Sequence, residues 1–433
     1  MKVCYFLILY IWVKKMPRIS KELKELKVLL ENDECLNIEE LNDNELHLFI
    51  NSFREEAEYL EDKRQYGYVI HSLEEILIVT ILAILANCNN FVEIHLFAEQ
   101  HYNWLKKYLD FSYGLPSIST FKRVIAIIKP KELEEICNEV FFKFLKAYKE
   151  NYLFKDINIE IEDINSLDGK TANNSKRNTR DGEIKKTNAM SAYSIKYDRC
   201  LATEFIGDKT NEIPTAPKLL SRVNIKNVIF TFDALNTQKE TINYIANNYG
   251  YYVAPVKENQ KLLYENLQDY FNDKELLETA KKENSYVELE QAHNRVEKRT
   301  YIFSDDINWI YQKNNWIGLK SIGIVIKEIN NEISEIRYFI SNLESKYVKL
   351  LATVIRNEWW IENKLHWYLD MSFQEDKNKC YLENSQKNLN IIRKFCLSIL
   401  KLVKDKYKLS MNSIRFKLSM DFEKELEILI NNL

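Results

Sequence analysis

The sequence predicts an α+β protein in which a helical N-terminal domain precedes a mixed sheet with flanking helices and a β-rich insertion. Three observations predict it. From about Pro17 to Lys149 apolar residues recur at helical spacing, as in residues 73–85 and 133–148, with polar joints at 87–90 and 114–116. From about Asp156 the pattern changes to short β-branched segments bounded by turn residues. Beyond Asn388 the chain is again helical in pattern and rich in lysine.

Within the helical part, the hydroxyls of Ser117, Ser119 and Thr120 can cap a short basic helix that begins Phe121-Lys122-Arg123-Val124. Such a helix either presents Lys122 and Arg123 to DNA or is an ordinary capped helix with surface charge. The strand-like region starts with isoleucines alternating from Ile157 to Ile164 and running into Ser166-Leu167-Asp168. Residues 190–197 and 201–206 read as two more strands, 214–223 as a helix, and 228–232 as a buried strand leading to Asp233. A helix over 237–248 and a strand over 251–256 follow. Three strands, helix, strand, helix, strand is the order of a ribonuclease H-like domain. Residues 261–347 then read as an insertion, with a charged helical stretch and β-rich pieces at 296–303, 322–329 and 336–340. An aromatic helix over 354–369 closes the catalytic part. The expected organisation is an apolar extension at 1–16, the helical domain at 17–150 as the expected DNA-binding part, a ribonuclease H-like catalytic domain at 151–260 and 348–385, the insertion at 261–347, and a helical segment at 386–433.

Composition narrows the chemistry. The chain of 433 residues holds only 8 glycines, where average usage would give about 30. Neither G-x-G-x-x-G nor a P-loop occurs, which argues against glycine-lined phosphate cradles. With a net charge of -3, any basic surface for DNA has to be local. The seven cysteines include no C-x-x-C pair, which excludes a readable zinc site or disulfide framework and suits a reducing cytoplasm. The apolar run from Cys4 to Val13 is shorter than the roughly 20 residues a membrane span requires. Met16 follows it directly, so translation starting at Met16 rather than Met1 is the preferred reading of that segment, and no membrane partner is expected.

Asp168 and Asp233 are the unusual acids, because each follows an apolar strand, and buried strands exclude charge unless something compensates for it. If the two strands are sheet neighbours, the paired carboxylates call for a cation. Hard oxygen ligands select magnesium, with manganese as a substitute. Glu362 is the candidate third ligand. It shares a helix face at i, i+4 spacing with Glu358, His366 and Asp370, whereas a plain amphipathic helix would merely solvate these groups.

Several spaced blocks carry a resemblance over nearly all of the chain after about Asp62. They are Asp62-Lys63-Arg64; Gly114-Leu115-Pro116-Ser117 with Thr120-Phe121-Lys122-Arg123-Val124; Leu167-Asp168-Gly169-Lys170-Thr171; and Asn211-Glu212-Ile213-Pro214. Then come Phe232-Asp233-Ala234, Val256-Lys257-Glu258-Asn259-Gln260, His293-Asn294-Arg295-Val296-Glu297, and Ile361-Glu362-Asn363-Lys364-Leu365-His366-Trp367. In these the chain resembles the H-repeat-associated insertion-sequence transposases of the Asp-Asp-Glu class. The resemblance implies Asp168, Asp233 and Glu362 as catalytic and metal-binding residues, and two magnesium ions about 3.5 to 4 Å apart. It implies double-stranded DNA with terminal inverted repeats and target DNA as partners, and a homodimer on DNA. Lys170, Lys257, Arg356 and Lys364 are candidate phosphate contacts, and Asn259 and Gln260 candidate contacts to backbone or base edges. One position departs from the family pattern: Glu358 stands where a histidine is usual. A carboxylate one turn from Glu362 would repel it or raise its proton affinity. A catalytically decayed end-binding protein and a host nuclease on the same fold are the alternative readings.

Overall fold

The computed structural model describes residues 44–65, 67, 69–145, 158–178, 184–207, 212–292, 295–378, 380, 382 and 384–433. The apolar N-terminal run with Met16, the helical readings at 17–43 and 146–149, the strand start at Ile157, and the motif residues Asn211, His293 and Asn294 lie outside the described residues. The chain divides into two compact units at Ser52 and Phe53. Of the first, the described part is the opening of helix α1 (Asn44–Ala57). The second runs from Phe53 to Leu433 and holds the rest of the fold.

Helix α2 (Leu73–Leu85) starts with a reciprocal cap: Ser72 accepts from the Glu75 amide, and Glu75 accepts from the Ser72 amide. It is apolar around its whole circumference and correspondingly buried on nearly every side. Helix α3 (Phe91–Gln100) is capped by Asn90, and α4 (Ile118–Ile127) by Ser117, the hydroxyl cap expected from the sequence. Helix α5 (Pro130–Phe144) has its proline in the first turn, where a missing amide hydrogen costs nothing.

The sheet contains β1 (Asp163–Asn178), β2 (Ile184–Ser194), β3 (Arg199–Ile206), β4 (Val228–Phe232) and β5 (Tyr251–Val256). It continues with β6 (Ser285–Ala292), β7 (Arg295–Ser304), β8 (Ser321–Ile329) and β9 (Glu332–Ser341). Their spatial order is β3-β2-β1-β4-β5-β9-β8-β7-β6. The first three strands pair antiparallel, while β1, β4 and β5 run parallel, so the mixed, ribonuclease H-like reading of the sequence is borne out. Strand β9 then pairs antiparallel with β5, which makes β6–β9 an extension of the same sheet.

Two expectations are corrected. Asp168 does not end β1: only the pairing with β4 stops at Leu167, while the strand itself continues as one arm of a long hairpin with β2. The helix expected over 354–369 is not continuous, being interrupted after Asn357 and again by a π-turn at 362–366. Strand β6 was not legible in the sequence, since Glu288 and Glu290 dilute its apolar character.

Side chains alternate across the strands and separate two cores. On one face Leu167, Phe230, Phe232, Tyr252 and Ile340 pack with α6 (Thr215–Leu220), α7 (Lys239–Asn247), α8 (Lys261–Asn272) and α9 (Lys274–Glu283). On the other, Ile164, Ile229, Val253 and Phe339 pack with α10 (Val348–Asn357). A short helix, α11 (Trp367–Met371), follows. Helix α12 (Ser385–Tyr407) is buried from Ser385 to Leu400 except at Lys387, and packs against β3 and helices α2, α4 and α5. After it come α13 (Met411–Met420) and α14 (Phe422–Asn431).

Arg415 of α13 is fully buried. It donates 2.7 Å to the Ile84 carbonyl at the end of α2 and also to the Ser372 carbonyl, and it lies 4.1 Å from the Phe373 ring centroid. One guanidinium thus ties the N-terminal helices and the segment after α11 to the C-terminal helices. Arg415→Ala removes donors from buried carbonyls and is expected to cost about 3 kcal/mol. Urea denaturation of the two proteins measures it, and a loss under about 1 kcal/mol contradicts this role.

Candidate metal centre beside β1 and β4

Register and parity bring Asp168 and Asp233 together. Leu167 pairs with Phe232 in the parallel β1–β4 ladder, so the next residue on each strand is an aspartate. In β4, Ile229 and Thr231 point away from the core that holds Phe230 and Phe232, and Asp233 continues that alternation. In β1, Ser166 points to the same side, where its hydroxyl donates 3.1 Å to the Asn357 carbonyl at the end of α10, and Asp168 follows it. Both carboxylates therefore face the side that carries the late helices.

Those helices supply Glu362. Helix α10 ends at Asn357, two residues form a turn, and residues 362–366 form a single π-turn that leads into α11. Such a turn carries one residue more than an α-turn and re-aims the side chains around it. Glu358 turns away to Arg337 of β9, with a contact of 2.5 Å, and does not share a stripe with Glu362. Glu362 pairs instead with His366, whose Nδ1 lies 3.0 Å from Glu362 Oε2 and 3.5 Å from Asp168 Oδ2. Asp168, Glu362 and His366 each offer one ligand atom, and these atoms lie within 4.8 Å of one another. Asp233 is outside that group but lines the same open cleft of about 270 Å³, together with Asp168, Lys257, Arg337, Glu358 and Glu362.

The electrostatics follow from this crowding. Burial pushes the Asp168 carboxyl up to about 6; His366 and the Gly169 amide oppose the rise, while the charges of Asp233 and Glu362 add to it. Glu362 is lowered, first by its hydrogen bond to His366. Glu358 is raised by burial, against the pull of Arg337. A fourth acid stands close by. Glu212 is raised by burial and by the Asp233 charge, and its carboxylate lies so near Gly169 that a Cβ there would overlap its Oε1. In the sequence Glu212 and His366 stand out only as parts of motifs. For His366 the i, i+4 spacing to Glu362 was the available signal.

The other predicted residues separate into two groups. Lys170 is held by Asp370 at 2.6 Å. Asn259 Nδ2 donates 2.7 Å to the Ala234 carbonyl, and Gln260 Nε2 donates 3.0 Å to the Thr237 carbonyl, so both amides brace the loop that follows Asp233. Arg356 pairs with Glu290 at 2.5 Å. Lys257 is exposed at the cleft, Lys364 lies 5.6 Å from the Trp360 ring centroid, and Lys122 and Arg123 are exposed on α4, some distance along the chain from the carboxylates.

The donor set suits a divalent cation: two carboxylates and an imidazole lie close together, and Asp233, Glu335 and Glu358 line the same cleft.

Comparison with known proteins places the chain in a family. The DDE_Tnp_1-associated family matches residues 55–140, and the family described as transposase DDE domain matches residues 166–399. The chain is 31% identical to "Putative protein YbfL" of Escherichia coli K12 over 355 residues, covering 80% of this chain and 89% of that one. It is 30% identical, with the same coverage, to "H repeat-associated putative transposase YhhI" of the same organism. A solved piggyBac transposase synaptic complex with hairpin DNA aligns with 88% of this chain and 77% of its own at 10% identity and a TM-score of 0.38. With its two aspartates adjoining paired parallel strands and these family matches over both parts of the chain, the protein belongs to the DDE-domain transposase family, alongside the H-repeat-associated members.

Proposed function

We propose that the chain is the DNA transposase of a bacterial insertion sequence, which cuts and joins DNA strands at the element's ends in the cytoplasm. The observation that carries the reading is the convergence of Asp168 and Glu362, with Asp233, on one open cleft in a chain of this family. Asp168, Asp233 and Glu362 would hold divalent cations, magnesium or manganese, which when bound supply Lewis acidity to a phosphodiester and to the attacking hydroxyl. The chain's own groups do the rest. Asn236 donates to Asp233 Oδ1 from both its backbone and its side chain, at 3.1 and 2.7 Å, and fixes the orientation of that carboxylate. His366 keeps Glu362 turned inward toward Asp168. Lys257 stands at the cleft to meet a phosphate, and Lys122, Arg123 and Lys364 are further candidate contacts to duplex DNA.

The partners under this reading are DNA with terminal inverted repeats and a target duplex, bound by two copies of the chain. Among the described residues no helix is long and apolar enough to cross a membrane. Glu358, which together with the N-terminal extension weighs for a decayed copy, is paired with Arg337.

Two measurements test the reading. Purified protein incubated with magnesium or manganese and a duplex containing the element end is expected to yield 3′-hydroxyl nicks and joined products. Asp168→Asn, Asp233→Asn and Glu362→Gln should each lower the yield by about a thousandfold. An Asp168→Asn protein with full activity rejects the assignment.

The second measurement needs no DNA. The Asp168 carboxyl titrates near 6 in the folded chain, above its value in the unfolded chain. Its contribution to stability is therefore fully present below about pH 4 and is lost as pH rises through about 6. Metal-free wild type should lose stability over that window relative to Asp168→Asn, and the variant should be the more stable protein at neutral pH. Urea midpoints at a series of pH values decide it, and parallel curves for the two proteins contradict the idea.

A further inference from the structure

We propose that His366 Nδ1 is a direct ligand of the cation held by Asp168 and Glu362, which makes the centre a mixed nitrogen–oxygen site preferring manganese or cobalt to magnesium. This ligand rests on the metal centre proposed above, and it is one that the Asp-Asp-Glu reading does not contain.

Donor atoms roughly 2.1 Å from a shared ion are separated from one another by roughly 3.0 Å at octahedral angles and 3.4 Å at tetrahedral ones. His366 Nδ1 lies 3.0 Å from Glu362 Oε2 and 3.5 Å from Asp168 Oδ2. The imidazole thus already stands at ligand spacing from both carboxylates. Its side chain is only 3% exposed, so the ring is fixed by packing, whereas Glu362, at 58% exposed, has room to close on an ion.

The far side of the ring points the same way. An imidazole can ligate through Nδ1 only when the proton resides on Nε2, and ligating histidines nearly always donate that proton to a carboxylate, a carbonyl or a water. His366 Nε2 is buried and has no hydrogen-bond partner among the described residues. The same holds for Glu375 Oε2, Gln386 Oε1 and Asn390 Oδ1. All four residues line one small pocket of about 10 Å³. That is close to the smallest volume that accepts a single water. A water there would take the Nε2 proton and pass hydrogen bonds on to α12. The chain thus offers acceptors behind the imidazole and carboxylates in front of it, which is the arrangement of a ligand.

A histidine that only positions Glu362 would produce the same Nδ1 distances, and metal preference separates the two roles. An imidazole ligand favours manganese and cobalt over magnesium, whereas loss of a positioning group weakens all three alike. The test uses the full-length, metal-free protein loaded with manganese alone. Electron spin-echo modulation is expected to show a directly bonded nitrogen, which changes when histidine is labelled with ¹⁵N. In His366→Gln the nitrogen signal should vanish. Loss of even an outer partner of a metal site costs about 10- to 100-fold in affinity, so manganese binding should weaken by about 100-fold in titration calorimetry, and magnesium binding by far less. Manganese bound to wild type without nitrogen coupling overturns the proposal and leaves the carboxylate site standing. The wild-type spectrum alone decides this, whether or not the variant folds. Wild type that binds no manganese at all refutes the metal centre itself.

Discussion

Parallel pairing of β1 with β4 is the constraint on which the rest of the site depends. Because Leu167 stands opposite Phe232, the two residues that follow are necessarily neighbours, and both are aspartates. A slip of one residue would turn every side chain of one strand to the other face and bury a carboxylate among Phe230, Phe232 and Tyr252. The apolar faces therefore do more than stabilise the sheet. By fixing the register they hold two like charges side by side, against an electrostatic preference to separate.

How the chain treats its buried acids differs from how it treats Asp168, Asp233 and Glu362, which are half-buried or exposed. Glu134 is paired with Arg222, Glu297 with Arg295 and Arg299, and Glu358 with Arg337. Asp163 accepts from the Ser194 hydroxyl and from the Ile164 and Lys196 amides, with the Lys196 charge adding its pull. Among the described residues, Asp168, Asp233 and Glu362 form no ion pair with any lysine or arginine, although Lys257 and Arg337 line the same cleft. Folding alone would gain from neutralising them, as it does elsewhere in the chain. These acids are held by His366, Asn236 and the Gly169 amide instead of by a lysine or arginine, an arrangement that sets them apart from the ion-paired acids.

Much of this was legible in the sequence, and what was not failed for identifiable reasons. The uninterrupted apolar run of β4 and the strand and helix around it announced themselves, because burial on both faces permits no other composition. The continuation of β1 beyond Asp168 did not, since Gly169-Lys170-Thr171-Ala172 has no apolar alternation and is held by pairing with β2. Asn259 and Gln260 looked like groups for nucleic acid, and their motif was informative, but what they bind is the carbonyls behind Asp233. Sequence spacing identifies polar groups; it does not say which backbone will come within reach of them.

Glu358 shows the same limit most clearly and connects β9 to the chemistry. Helical periodicity stacks it on Glu362 and makes it a threat to the site. In the fold the helix breaks between them, and the carboxylate turns to Arg337, which β9 contributes. Arg337 in turn lines the cleft that holds Asp168, Asp233 and Glu362. The ion pair therefore offsets an extra negative charge that still repels Asp233, and it ties the edge of the cleft to β9. Whatever displaces β9 relative to β5, to which it is paired, must either carry Glu358 with it or release an unpaired carboxylate beside the site. Strand β9 is thus coupled to the carboxylates through the Arg337–Glu358 pair.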